Sequence, residues 1–100
     1  MSLRKRFLHL HEWIGLHAKV VASTSTYKGI EGIVVDETKN TIVIKTHRSI
    51  KRVPKEGNIV AFLVEGGQIL LDLGKLRFRP EERLKKAKLS RWEYVVGRGE

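Results

Sequence analysis

From His17 to residue 73 the chain reads as short β-branched runs separated by turn-forming residues, and this rhythm limits the fold more than any other feature. The runs cover residues 17–23, 29–36, 41–46, a weaker 49–53, 59–64 and 68–73, and begin about every nine to twelve residues. Glu37-Thr38-Lys39-Asn40, Pro54-Lys55-Glu56-Gly57-Asn58 and Glu65-Gly66-Gly67 separate them, and such connections are short enough for hairpins. Five to six strands in so few residues cannot build an open two-layer sandwich. A strongly bent antiparallel barrel can fill its interior with Val20, Ile33, Val35, Ile42, Ile44, Ile59, Ala61, Ile69 and Leu71. Gly29 and Gly32 suit the bend or bulge that closure requires.

Before the barrel, Leu3, Phe7, Leu10 and Ile14, with Trp13 beside them, recur at helical spacing and predict an amphipathic helix over 1–15. After it, Pro80 suits a first helical position, Glu81 and Glu82 the first turn, and Glu81/Lys85 and Glu82/Lys86 are favourable i, i+4 pairs. A basic helix over 80–96 is predicted. The whole is one domain, 1–100, with the barrel at 17–79, since 100 residues suffice for a single modest core. The apolar faces of the terminal helices, Leu3, Phe7, Leu10, Trp13 and Ile14 with Leu84 and Ala87, exceed what a small filled barrel needs. They are expected to order fully against a partner protein.

Charge narrows the function. The 20 lysines and arginines against 11 acidic residues leave +9, and the surplus sits at the two ends while the body is nearly neutral. Such a field seeks a polyanion. Arg48, Lys51, Arg52 and Lys55 cluster on the weak fourth run and its turn, and Lys75, Arg77 and Arg79 alternate on an extended segment. With Lys28, Arg83, Lys85 and Lys86 they form the candidate RNA-binding set, and Tyr27 and Phe78 are aromatic groups available to stack on bases. Phe78, between two arginines, reads more naturally as turned inward.

Other chemistries find little support. No cysteine is present, so disulfides, thiolate nucleophiles and cysteine zinc sites are excluded. His9, His11, His17 and His47 lack ligand spacing, Asp36 and Glu37 read as turn residues, and Ser23-Thr24-Ser25-Thr26 has no activating histidine and acid. The longest apolar run, 59–64, is too short to span a bilayer, and nothing after Arg4-Lys5-Arg6 resembles a secretory signal, so no membrane association and a cytoplasmic location are expected.

Trp13-Ile14-Gly15-Leu16, Gly29-Ile30-Glu31-Gly32, the stretch Val34-Val35-Asp36-Glu37-Thr38-Lys39-Asn40-Thr41-Ile42-Val43-Ile44, Val53-Pro54-Lys55 and Arg79-Pro80-Glu81-Glu82-Arg83-Leu84-Lys85-Lys86 together resemble protein component 1 of archaeal ribonuclease P, the counterpart of a conserved eukaryotic subunit. Glu82 and Leu84 stand where that family usually has Asp and Ile. The resemblance implies an Sm-like barrel with terminal helices, in an enzyme that removes the 5′ leader from precursor tRNA. It implies that the RNA subunit, with bound magnesium, is the catalyst, that this chain has no catalytic residue and binds no metal or cofactor, and that a zinc-ribbon protein subunit is its partner. Precursor tRNA would be met only indirectly, and the isolated chain is expected to be a monomer. The competing readings are a general Sm-like nucleic-acid binder that forms rings, and a metal-dependent nuclease using Glu31, Asp36 and Glu37.

Overall fold

The computed structural model describes residues 13–64, 67–82 and 95–98. Its strands are β1 (His17–Ser23), β2 (Glu31–Glu37), β3 (Thr41–Lys45), β4 (Ile50–Pro54), β5 (Asn58–Val64), β6 (Gly67–Asp72) and β7 (Val95–Arg98), and a 3-10 turn, Leu73–Lys75, follows β6. They form one seven-stranded sheet in the order β4-β3-β2-β1-β5-β6-β7, antiparallel throughout. The β-branched runs thus become strands within a residue or two of their expected bounds. The turns between them follow from local chemistry. Thr38 N–H donates to Thr41 O at 2.9 Å to close the β2–β3 hairpin, and Asn58 Nδ2 donates to Pro54 O at 2.8 Å across the β4–β5 turn.

Five strand spacings separate β4 from β6, roughly 24 Å if the sheet were flat. Yet Lys55, one residue beyond β4, donates from Nζ to Leu76 O at 3.2 Å and Phe78 O at 2.9 Å, just beyond β6 and its 3-10 turn. The sheet is therefore rolled into a barrel. Its inside is one continuous cluster to which each of β1 to β6 contributes, from Val53 on β4 through Ile42, Ile44, Val34, Val20 and Phe62 to Ile69 and Leu71.

Two bulges give the sheet this curvature. Register slips between Val20 and Ala22 against β5, and between Val34 and Asp36 against β3, so Val21 and Val35 are the extra residues. The expected interior is corrected here. Val34 and Glu37 point inward, whereas Ile33 and Val35 are exposed: Gly32 and Val34 hold the inward phase, which puts Ile33 and Val35 outside, and the bulge then turns Glu37 rather than Asp36 inward. Ile59 is only half-buried, and Val20, Ile42, Ile44, Ala61, Ile69 and Leu71 lie inside as expected. Neither glycine of β2's start forms a bulge. At Gly32 a Cβ would lie 2.0 Å from Lys45 O, so a side chain is excluded there by the close approach of β3.

The ends differ from expectation. Residues 1–12 of the expected first helix lie outside the described residues, and Trp13 to Leu16 form a turn in which Leu16 N–H donates to Trp13 O at 3.0 Å and Gly15 adopts φ +95°. The expected helix over 1–15 thus overlaps this turn by three residues, and its last position, Gly15, takes a φ that only glycine enters freely. Residues 80–82 take a helical conformation, with Glu82 Oε1 accepting from Arg79 N–H at 3.1 Å, but the expected helix over 80–96 is not supported. Residues 83–94 lie outside the described set, but Val95 and Val96 belong to β7, paired with Leu70 and Ile69, rather than to a helix reaching 96. The β-branched pair finds a ladder on β6, and tertiary pairing overrides local helix-forming preference.

Candidate nucleic-acid interface

The exposed cations gather around β4, the terminal strand of the sheet. Ile50 pairs with Lys45, Lys51 with Ile44, Arg52 with Val43 and Val53 with buried Ile42. Arg52 therefore shares the outer face with Lys45 and Ile50, while Lys51 leaves on the opposite side of the strand. The charges clustered on this strand therefore flank an edge rather than share one face. Arg52 is steadied by a 3.5 Å bond from Nη1 to Thr41 Oγ1.

The turn before β4 is closed by a backbone bond from Thr46 N–H to Ser49 O at 2.8 Å and by the Thr46 hydroxyl. Thr46 Oγ1 accepts from Arg48 N–H at 3.2 Å and from Ser49 N–H at 3.0 Å and donates to Ser49 O at 3.0 Å. His47 and Arg48 are thus presented to solvent on a fixed loop.

Lys55 stands apart from its neighbours. Its side chain is fully buried; Nζ donates to Glu37 Oε2 at 2.8 Å as well as to the two carbonyls, and lies 5.2 Å from the Trp13 ring centroid. Trp13 is itself fully buried, its ring 5.2 Å from that of Phe62. The solvated placement of Lys55 and the partner-facing placement of Trp13 are both corrected. Val53 already faces inward, and two residues further along the same alternation carries Lys55 in as well. Its charge serves the clasp that closes the barrel.

Lys75, Arg77 and Arg79 are all exposed, with Leu76 buried and Phe78 half-buried between them. Arg77 is partly engaged, with Nη1 3.4 Å from Glu56 Oε1 and Nε donating to Gly74 O at 3.2 Å. Tyr27 packs against the core. Ile14 is exposed; Leu3, Phe7, Leu10, Arg83, Leu84, Lys85, Lys86 and Ala87 lie outside the described residues.

The three carboxylates of the nuclease reading do not converge. Asp36 and Glu37 point to opposite faces of β2, Glu37 is held by Lys55, and Glu31 Oε2 lies 2.9 Å from His17 Nε2. Among the described residues no group of three or more His, Asp or Glu side chains is placed to hold a metal ion.

Residues 6–86 match the ribonuclease P/MRP subunit p29 family. The chain belongs to that family. A ribonuclease P protein component 1 from Pyrococcus furiosus is 44% identical over 84% of this chain and 68% of its own length. The protein of the same description from Methanosphaera stadtmanae is 40% identical over 76% of this chain and 84% of its own. The solved structure of Mth11, a homologue of human RNase P protein Rpp29, is 38% identical and superposes with a TM-score of 0.55, covering 73% of this chain and 97% of that one. As a member of the p29 family the chain is a protein subunit of ribonuclease P, an endoribonuclease complex.

For this p29 protein, sequence reading overlooked Lys45, which shares the outer row with Ile33 and Ile50. As a single lysine ending a strand it gave no cluster signal; only the pairing places it beside Arg52. It also overlooked an open pocket of about 420 Å³ lined by His17, Gly29, Ile30, Glu31, Gly32, Thr46 and His47. Its lining comes from the starts of β1 and β2 and the turn after β3, which are distant in sequence.

Proposed function

We propose that the chain is an RNA-binding, non-catalytic subunit of ribonuclease P. In this reading it neutralises phosphates along the folded RNA and stabilises it, while the RNA with bound magnesium removes the 5′ leader of precursor tRNA. The chain itself binds no cofactor, is a monomer when isolated, and acts together with a zinc-ribbon protein subunit. The observation that carries the reading is the terminal strand and its turn, where Arg48, Lys51 and Arg52 are exposed beside Lys45 and none of the four is ion-paired among the described residues. Cations of this kind supply affinity for a phosphate backbone without reading sequence.

Reconstitution tests it. The cognate RNA is assayed for precursor tRNA cleavage at low magnesium with and without the chain and its zinc-ribbon partner. The chain should lower the magnesium needed for cleavage, and Lys51→Ala with Arg52→Ala should reverse that gain. A chain that leaves the magnesium requirement unchanged refutes the reading.

A further inference from the structure

The pocket between β1, β2 and the β3–β4 turn has a composition that the cationic strand does not explain. Glu31 stands in it, 48% exposed, with Oε2 paired to His17 Nε2 at 2.9 Å and Oε1 accepting no hydrogen bond from the described residues. Exposed cations adjoin its lining residues along the chain: Lys28 immediately before Gly29, Lys45 immediately before Thr46 and Arg48 immediately after His47. A carboxylate weakens phosphate binding wherever it stands. Placed among cations it can instead reject a phosphate at one point and accept hydrogen bonds from a base edge there.

We propose that this pocket receives one unpaired guanine of a structured RNA, its Watson–Crick edge donating to Glu31 and the adjoining phosphates lying against Lys28, Lys45 and Arg48. The inference rests on the RNA-binding reading above and adds a base preference to it. Guanine alone among the four bases presents two donors side by side, N1–H and the N2 amino group, which match the two oxygens of a carboxylate. Adenine, cytosine and uracil each set an acceptor beside their donor, which the carboxylate repels. The 2.9 Å contact with His17 Nε2 orients the carboxylate, which has lone pairs enough to keep that bond and accept two more. His47, exposed on the turn that Thr46 fixes, offers an imidazole face for stacking.

The test uses the full chain and two RNA hairpins identical except for one extruded nucleotide, G in one and A in the other. The wild type should bind the G hairpin about tenfold more tightly, and Glu31→Gln should abolish that preference. Guanosine monophosphate should shift the His17 and His47 imidazole resonances saturably, and adenosine monophosphate at equal concentration should not. Equal affinity of the wild type for the two hairpins, or equal imidazole shifts from the two nucleotides, overturns the proposal. Lys51→Ala with Arg52→Ala separates the two readings, since these residues lie outside the pocket. If that variant weakens both hairpins alike while Glu31→Gln changes neither, RNA binding stands and the guanine pocket falls; if the wild type binds neither hairpin, both fall. Glu31 is half-exposed, so its replacement leaves the fold intact, which an amide spectrum of the variant confirms.

Discussion

Replacing Lys55 discriminates most sharply between a solvated cation and a structural one. The ammonium donates three hydrogen bonds, to Glu37 Oε2 and to the carbonyls of Leu76 and Phe78, all from a side chain with no exposure. An ammonium has three donors, so each is used. Lys55→Met keeps most of the stem's volume and removes the charge, leaving a buried carboxylate and two carbonyls without their donor. Breaking a buried pair in this way costs about 3–5 kcal/mol, against a total stability of about 5–15 kcal/mol for a domain of this size. In urea unfolding followed by tryptophan fluorescence, with a slope of about 1–3 kcal/mol per molar, a loss of about 4 kcal/mol lowers the midpoint by about 1.3–4 M. Adding Glu37→Leu to Lys55→Met should recover much of that loss, because two apolar residues then fill a site in which neither charge is stranded. A Lys55→Met midpoint within about 0.3 M of the parent would refute the clasp and return Lys55 to the solvated surface.

Three further outcomes follow from the same geometry. Neutralisation of about five phosphates by Lys28, Lys45, Arg48, Lys51 and Arg52 should give a log K against log salt slope of roughly −3.5 to −4.5, and Lys51→Ala with Arg52→Ala should flatten it by about 1.4 to 1.8; a slope unmoved by that variant removes β4 from the interface. Gly32→Ala must push β3 away from a Cβ only 2.0 Å from Lys45 O, so calorimetry should show Tm lowered by at least about 4 °C. Val35→Thr, at the exposed bulge, should change stability by less than about 0.5 kcal/mol, whereas Val34→Thr, which carries a hydroxyl into the core, should cost at least about 1 kcal/mol in denaturant unfolding.

The strands were legible because β-branched runs and turn residues act locally, and the observed bounds of β1 coincide with the expected 17–23. Facing was legible only where alternation is unbroken. Ile33 was placed inside because Gly32, which holds the inward phase beside it, has no side chain to reveal that phase, and the inserted residue at Val35 then reverses the phase for Asp36 and Glu37, which no side-chain type marks in advance. Lys55 was misplaced for a related reason: a lysine in a charged turn reads as solvated unless the buried carboxylate that receives it, on a strand 18 residues away in sequence, is known. β7 was missed because four residues pair with a strand more than twenty positions earlier, and long-range pairing leaves no periodicity of its own. The cations of the candidate interface were legible as composition, whereas the pocket holding Glu31 and His17 required the fold.

The position of β4 at the end of the sheet has a further consequence, for solubility. A terminal strand offers unpaired backbone groups to any other strand, and a second copy of the same chain is the most abundant candidate at high concentration. Lys51 and Arg52, leaving this edge on opposite faces, set like charges against each other whenever two such edges approach, and Pro54 at the strand's end withholds a donor. In the proposed RNA-binding reading, the cations that would draw in a polyanion also oppose edge-to-edge joining of the free protein, and RNA covering the strand would remove the need for that repulsion. Neutralising β4 removes both effects together, so a variant lacking these charges should associate with itself when alone and concentrated.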